Sequence, residues 1–148
     1  KLKPMRRIVA ICAMVFLLSS CSQKTAFEEL ADGGCSSEQK KLVEAHISSQ
    51  IDALAKKDWK LAYSYASPVF KSNVEIDQFT FIIEAQYGML VDNEGYEFGA
   101  CTIASEKLVQ EIAVTSNAEI TNLTYILSVE KEVLGVDSAT ASQPKLEA

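Results

Sequence analysis

The sequence predicts an α+β domain in which about three N-terminal helices pack on a curved antiparallel sheet of three to four strands. Apolar residues recur at helical spacing between residues 36 and 87, and from residue 96 onward they alternate with polar ones. Helices followed by strands, without regular βα alternation, are typical of helices on one face of an antiparallel sheet. A chain of 148 residues also has room for one domain of ordinary size.

The first predicted helix has the clearest start and the most regular pattern. Ser36 and Gln39 match a capping box, in which each side chain satisfies a backbone N–H of the other. The apolar stripe that follows consists of Val43, Ile47, Ile51 and Leu54, and the helix is expected to end near Asp58.

Two further helices are predicted over residues 59–66 and 73–87. Ser67-Pro68 is expected to end the second helix, because the residue before a proline avoids helical geometry. Gly88 offers a stop for the third.

Four segments alternate as strands do: residues 96–98, 108–114, 123–129 and a short stretch at 133–136. The clearest is 123–129, where Leu123, Tyr125, Leu127 and Val129 share one face. We place the globular domain at 36–138 and expect the small, polar tail over 139–148 to fray.

The first twenty residues have the three parts of a lipoprotein signal peptide. Four basic residues precede an apolar run of 11 residues, Ile8 to Leu18, which is too short for a transmembrane helix. The segment Leu18-Ser19-Ser20-Cys21 then resembles the bacterial lipobox, which implies cleavage before Cys21 and lipidation of its thiol. An ordinary cleaved signal and an uncleaved apolar helix are the alternatives.

Without residues 1–20 the formal net charge falls from −6 to −10, because the signal contains four basic residues and no acidic one. Such an acidic chain, with only scattered lysines, is a poor match for nucleic acid. The polar stretch 21–35 is predicted to be a flexible tether between the lipid anchor and the domain.

Two cysteines remain in the mature domain, Cys35 and Cys101. An even pair outside the cytoplasm favours a disulfide. The alternative is two buried free thiols, which behave as small apolar residues.

Few residues are candidates for chemistry. His46 is the single histidine; with Asp52 or Asp77 as partner it would be a general base, but a half-buried structural histidine is the simpler interpretation. The loop at 92–94 is acidic, which fits either a cation or an ordinary solvated turn. We expect no catalytic residue, no metal site and no cofactor.

The richest aromatic group is a candidate pocket lining, although at helical spacing the simpler interpretation is that these residues only form core. Its members are Trp59, Tyr63, Phe70, Phe79 and Tyr87.

Several of these residues also resemble a family. The run from Lys57 to Phe70, then Phe79, Ile82-Ile83, Tyr87 and Tyr96-Glu97-Phe98-Gly99, is similar to domain-of-unknown-function family 4864 of secreted bacterial proteins. The resemblance covers roughly residues 38–138. It implies the cone-shaped, cystatin-like fold of nuclear transport factor 2 and the SnoaL-like proteins, and it implies no activity.

Together these features predict a non-enzymatic binding or interaction domain, outside the cytoplasm and anchored to the cell membrane through lipidated Cys21. Its expected partner is a small apolar ligand or an envelope protein, and a homodimer is compatible with the sequence. The alternative is a small-molecule enzyme of the cone-fold type, similar to SnoaL or ketosteroid isomerase, acting on an apolar substrate.

Overall fold

The computed structural model describes residues 24–142. The predicted signal peptide, Cys21 and the last six residues lie outside this range. The described helices are α1 (Ser37–Ala55), α2 (Trp59–Ser64), α3 (Pro68–Asn73), α4 (Ile76–Gln86) and α5 (Gly88–Val91). The strands are β1 (Gly33–Gly34), β2 (Gly95–Ala104), β3 (Lys107–Ser116), β4 (Glu119–Glu130) and β5 (Val133–Ala141).

The five strands form one open antiparallel sheet in the order β1-β2-β3-β4-β5. The predicted α+β class is therefore confirmed, whereas the predicted three to four strands and about three helices were too few. The strand that the sequence did not indicate is β1, which consists of two glycines and has no side chain to alternate.

The helices pack on one face of the sheet, and the core lies between the two layers. The capping box of Ser36 and Gln39 is present, and all four residues of the predicted apolar stripe of α1 are buried. The sheet contributes alternate residues of its central strands to the same core: Leu108, Ile112, Val114, Leu123, Tyr125 and Leu127.

Two short helices arise where the sequence indicated only boundaries. α2 ends at Ser64, two residues before the predicted end. Pro68 instead begins α3, because Ser67 Oγ accepts a hydrogen bond from Phe70 N and a proline at the first helical position needs no N–H partner. The third predicted helix begins at Ile76 rather than at residue 73, because Val74 is extended. After it, Gly88 begins α5 instead of ending the helical region.

The linker between α2 and α3 covers part of the outer edge of β5. Val136 N donates a hydrogen bond to Tyr65 O at 2.9 Å, and Ser67 N donates one to Val136 O at 2.9 Å. These bonds form a parallel bridge between Ala66 and Val136, which fixes the helical layer against the sheet.

The N-terminal segment is not a free tether from residue 24 onward. Gln39 Nε2 donates hydrogen bonds to Ala26 O at 2.9 Å and to Glu29 O at 3.3 Å, and the side chain of Phe27 packs against the core. Part of the predicted tether over 21–35 is therefore docked on the domain, which its local polar composition does not reveal because the hydrogen-bond donor lies in α1.

A disulfide holds the end of that segment. Cys35 Sγ and Cys101 Sγ are 2.05 Å apart, and Cys35 N donates a hydrogen bond to Cys101 O. In the chain-entropy description, closing a loop of 66 residues stabilises the domain by about 4 kcal/mol.

The C-terminal boundary also lies further along the chain than predicted. β5 continues to Ala141, which pairs with Leu123, so residues 139–141 of the predicted fraying tail belong to the sheet. Their small side chains weaken the alternation signal, but the backbone ladder needs no particular side chain. Within residues 24–142, no helix has both the length and the apolar character that a membrane span requires.

Candidate functional site

A cavity of about 150 Å³ lies between the helical layer and the sheet. Its apolar wall comes from α1, α3, α4, α5 and the sheet, and its large buried side chains include Leu54, Phe79, Ile83, Leu90 and Tyr125. Partly exposed residues of α4 and β5, among them Ile82 and Ser138, line it as well, so the cavity approaches solvent between these two elements.

Three of the polar side chains on the wall come from three different elements. Gln50 of α1 donates a hydrogen bond from Nε2 to Ala62 O at 3.2 Å. The Tyr87 hydroxyl, at the end of α4, donates to Ala139 O of β5. Tyr125 lies on the core face of β4 opposite Gln110, with 1% of its surface exposed. The Tyr125 hydroxyl has no hydrogen-bond partner among the described residues.

One carboxylate residue, Asp137 at a bulge in β5, also lines this cavity. Its Oδ2 accepts from Lys107 Nζ at 2.8 Å, and its Oδ1 accepts from Ser128 Oγ at 2.8 Å. Burial alone would raise the pKa of Asp137, but hydrogen bonds from Lys107, Ser67 and Ser128, with the charge of Lys107, lower it below the usual value. At neutral pH Asp137 is therefore an ionised, paired carboxylate and a weak base.

Of the five aromatic residues that the sequence singled out, Phe70, Phe79 and Tyr87 line the cavity. Trp59 and Tyr63 do not. Trp59 borders a shallow depression with Asp77, and Tyr63 packs on Phe79 while its hydroxyl donates to Val74 O at 2.7 Å. The structure therefore brings three of the five predicted aromatic residues together at this cavity.

Sequence reasoning missed Gln50, Leu54, Leu90 and Tyr125 as wall residues. It placed Leu54 and Tyr125 on buried faces, but a periodic pattern shows which face is buried and not whether neighbouring side chains fill the space. A glutamine such as Gln50 on a buried helix face was the signal available in the sequence, because a buried polar group needs a local reason.

Gln110 is another buried glutamine, and it lies outside the cavity. Its Nε2 donates to the carbonyl oxygens of Gly99, Ala100 and Glu111 at 2.8 to 3.3 Å, and so holds the bulge of β2. Its Oε1 is enclosed by protein and has no partner among residues 24–142.

His46 lies away from the cavity, in an open surface depression beside Phe27, Leu42 and Val133. Its Nε2 donates to Tyr65 O at 2.9 Å. Burial, aided by the charge of Lys71, outweighs this hydrogen bond and lowers the pKa of His46, so the ring is neutral at pH 7. In the described structure His46 contacts neither Asp52 nor Asp77 through a hydrogen bond or ion pair, and it has the surroundings of a structural histidine.

The acidic loop 92–94 forms the turn before β2. Glu94 Oε1 accepts a hydrogen bond from Asn117 N at 3.0 Å, and Asn93 Nδ2 donates to Leu90 O at 2.7 Å. Between residues 24 and 142, no group of three or more His, Cys, Asp or Glu residues is arranged to hold a metal ion.

Comparison with protein families adds one finding. The model for a domain of unknown function, DUF4864, matches residues 36–144, which is most of the chain and includes every wall residue of the cavity. The chain belongs to the DUF4864 family. The match to this DUF4864 domain begins at the N-cap of α1 and therefore leaves out β1 and the docked segment before it. Comparisons with curated proteins and with solved structures each gave no match.

Proposed function

We propose that this DUF4864 protein is a lipid-anchored, non-enzymatic binding domain of the bacterial cell envelope, which takes a small apolar ligand into the cavity between helices and sheet. The observation that carries the proposal is the cavity itself. Small-molecule sites are typically concave and mostly apolar, with a few convergent polar groups, and this wall has that composition.

The cone-shaped fold of the nuclear transport factor 2 type is part of this proposal. Helices on one face of an antiparallel sheet, with a cavity between the two layers, are the arrangement that such a fold requires. In a fold of this kind the helical layer closes one side of the cavity, and the sheet shapes the other.

The location is proposed from the sequence of residues 1–21. The basic segment, the short apolar run and Leu18-Ser19-Ser20-Cys21 occur in the order of a lipoprotein signal, and attached acyl chains would hold the domain at a membrane outside the cytoplasm. A paired cysteine in the described domain suits an oxidising compartment.

The alternative, a cone-fold enzyme acting on an apolar substrate, has less support from the groups around the cavity. An acid–base catalyst needs a titratable group poised near neutral pH. Asp137 is paired with Lys107 and has a lowered pKa, and His46 lies in a different depression. Binding without chemistry therefore fits the wall better.

Benzene is a suitable first probe, because a cavity of about 150 Å³ with an apolar lining is large enough to hold it. We expect saturable NMR shifts of methyl groups on the wall, such as those of Leu54, Ile83 and Leu90. Ala66→Val, which adds two methyl groups at the wall, should weaken binding, whereas Ala104→Val at an exposed position of β2 should not. Absence of saturable shifts in the folded wild type would refute the cavity as a ligand site.

A further inference from the structure

The Tyr125 hydroxyl lies on the core face of β4, where an apolar side chain would stabilise the fold better. Its neighbours along the core face of β4 are Leu123 and Leu127, and all three side chains are almost fully buried. A buried hydroxyl without a partner loses its hydrogen bonds to water and gains none in return, which destabilises the folded state. Phenylalanine would fill the same space without this loss.

The Tyr125 hydroxyl has no partner, yet protein does not enclose it. In the described part of the chain, the side-chain polar atom that is both enclosed and unpartnered is Gln110 Oε1. The Tyr125 oxygen therefore keeps contact with open space, and the space that Tyr125 lines is the cavity. Burial raises its pKa well above the usual range for tyrosine, so the hydroxyl keeps its proton as a donor.

Two tyrosines in the helical layer have hydrogen-bond partners within the protein. The Tyr63 hydroxyl donates to Val74 O, and the Tyr87 hydroxyl, on the same cavity wall, donates to Ala139 O. The contrast indicates that the packing around Tyr125 leaves its hydroxyl free for a bound molecule.

Gln50 supplies a second polar atom on the wall. Its Nε2 is occupied by Ala62 O, and its Oε1 accepts no hydrogen bond from residues 24–142. A hydroxyl group on a ligand is both donor and acceptor, so it suits a wall that offers the Tyr125 O–H and the Gln50 carbonyl oxygen.

We propose that the cavity selects a small, monocyclic, otherwise apolar molecule carrying one hydroxyl group, and that the Tyr125 hydroxyl is the specificity-determining contact, with Gln50 Oε1 as its acceptor counterpart. This inference rests on the proposed ligand-binding function and deepens it. A cavity of about 150 Å³ limits the ligand to the size of a single ring.

Phenol and toluene test the selection, because they share the ring and differ by a hydroxyl in place of a methyl group. Their dissociation constants are measured by NMR titration for the wild type, Tyr125→Phe and Tyr63→Phe, each checked for folding by its melting temperature. The quantity compared is the ratio of the toluene to the phenol dissociation constant, in which the different hydration of the two probes cancels between proteins.

We expect Tyr125→Phe to weaken phenol binding while toluene still binds, which lowers this ratio. The expected decrease is about fivefold or more, because that is the effect of losing one net hydrogen bond on a dissociation constant. Tyr63→Phe removes a hydroxyl outside the cavity and should leave the ratio unchanged. A ratio that Tyr125→Phe does not change, or that Tyr63→Phe changes equally, overturns the inference.

The experiment separates this inference from the proposed function. If neither probe binds the folded wild type, the binding function fails and the inference with it; if both bind with no effect of Tyr125→Phe, only the inference fails. If Tyr125→Phe does not fold, the inference is tested on the wild-type protein instead, by measuring NOEs between bound phenol and the protein. The strongest NOEs are expected between the phenol protons next to its hydroxyl and the protons of the Tyr125 ring. Absence of these NOEs while phenol is bound overturns the inference.

Discussion

The hydroxyls of Tyr63 and Tyr125 have opposite surroundings, although both rings contact the same core. The Tyr63 hydroxyl donates to Val74 O at 2.7 Å, where the chain leaves α3, and the Tyr125 hydroxyl has no protein partner. A hydrogen bond within the protein stabilises the fold by about 1 kcal/mol, whereas a buried polar group without a partner destabilises it.

Tyr63→Phe should therefore lower the free energy of unfolding by about 1 kcal/mol. Tyr125→Phe should leave it unchanged or raise it, because the variant removes a polar group that the fold does not satisfy. Urea denaturation without ligand measures the free energy of unfolding of both variants and of the wild type. A loss of stability in Tyr125→Phe as large as in Tyr63→Phe would mean that the Tyr125 hydroxyl has a partner within the protein.

At the scale of elements, the contact between the α2–α3 linker and β5 depends on Gly135. A Cβ built at this position would lie 2.5 Å from Ser67 Cα and 2.8 Å from Ser67 Cβ. Main-chain atoms cannot move away as the end of a long side chain can. The bridge between Ala66 and Val136 would therefore have to shift.

We expect Gly135→Ala to destabilise the domain by about 1–3 kcal/mol through this overpacking. Gly88→Ala is the matched control, because a Cβ at Gly88 meets nothing within 4 Å and alanine is a better helix former at the start of α5. Thermal denaturation of the two variants gives the comparison. Equal melting temperatures would show that the linker does not press on β5.

The sequence predicted the elements with strong local signals. α1 has a capping box and a complete apolar stripe, and β4 alternates without interruption. It did not reveal the tight turns between β2, β3, β4 and β5, because their residues with positive φ, such as Ser105, Asn117 and Lys131, are not glycines. In a sequence, tight hairpin turns are usually indicated by Asn-Gly or Asp-Gly. Here the pairing of the strands enforces the turns instead.

The cavity was only partly predictable for a related reason. Aromatic residues at helical spacing indicate burial, and Phe70, Phe79 and Tyr87 do line the cavity. Tyr63 shares their buried character and packs on Phe79 without lining the cavity, a distinction that depends on how three short helices turn relative to each other. Patterns within one helix do not contain that information.

At the scale of the whole molecule, the docked N-terminal segment changes how the domain would sit at a membrane. If all of residues 21–35 were extended, the domain would reach about 50 Å from its anchor. Thr25 Oγ1 already donates a hydrogen bond to Glu132 Oε1, so the four steps from Cys21 span at most about 14 Å. A lipidated Cys21 would hold the face around Phe27 close to the membrane surface.

The last prediction concerns that anchor. Cys21→Ala should abolish acylation and move the protein from the membrane to the soluble fraction, because the acyl chains of the cysteine provide the attachment. The melting temperature of the domain should not change, since the contacts that hold the N-terminal segment on the domain begin at Thr25 and Ala26. Cys12→Ala is the matched control: this cysteine lies within the apolar run, and its loss should leave both acylation and fractionation as in the wild type. Membrane fractionation reports where each variant is located, and intact mass reports whether it is acylated. An unmodified Cys21 in protein isolated from membranes would contradict the lipoprotein proposal. It would not affect the proposal for the cavity, because the two features share no residue.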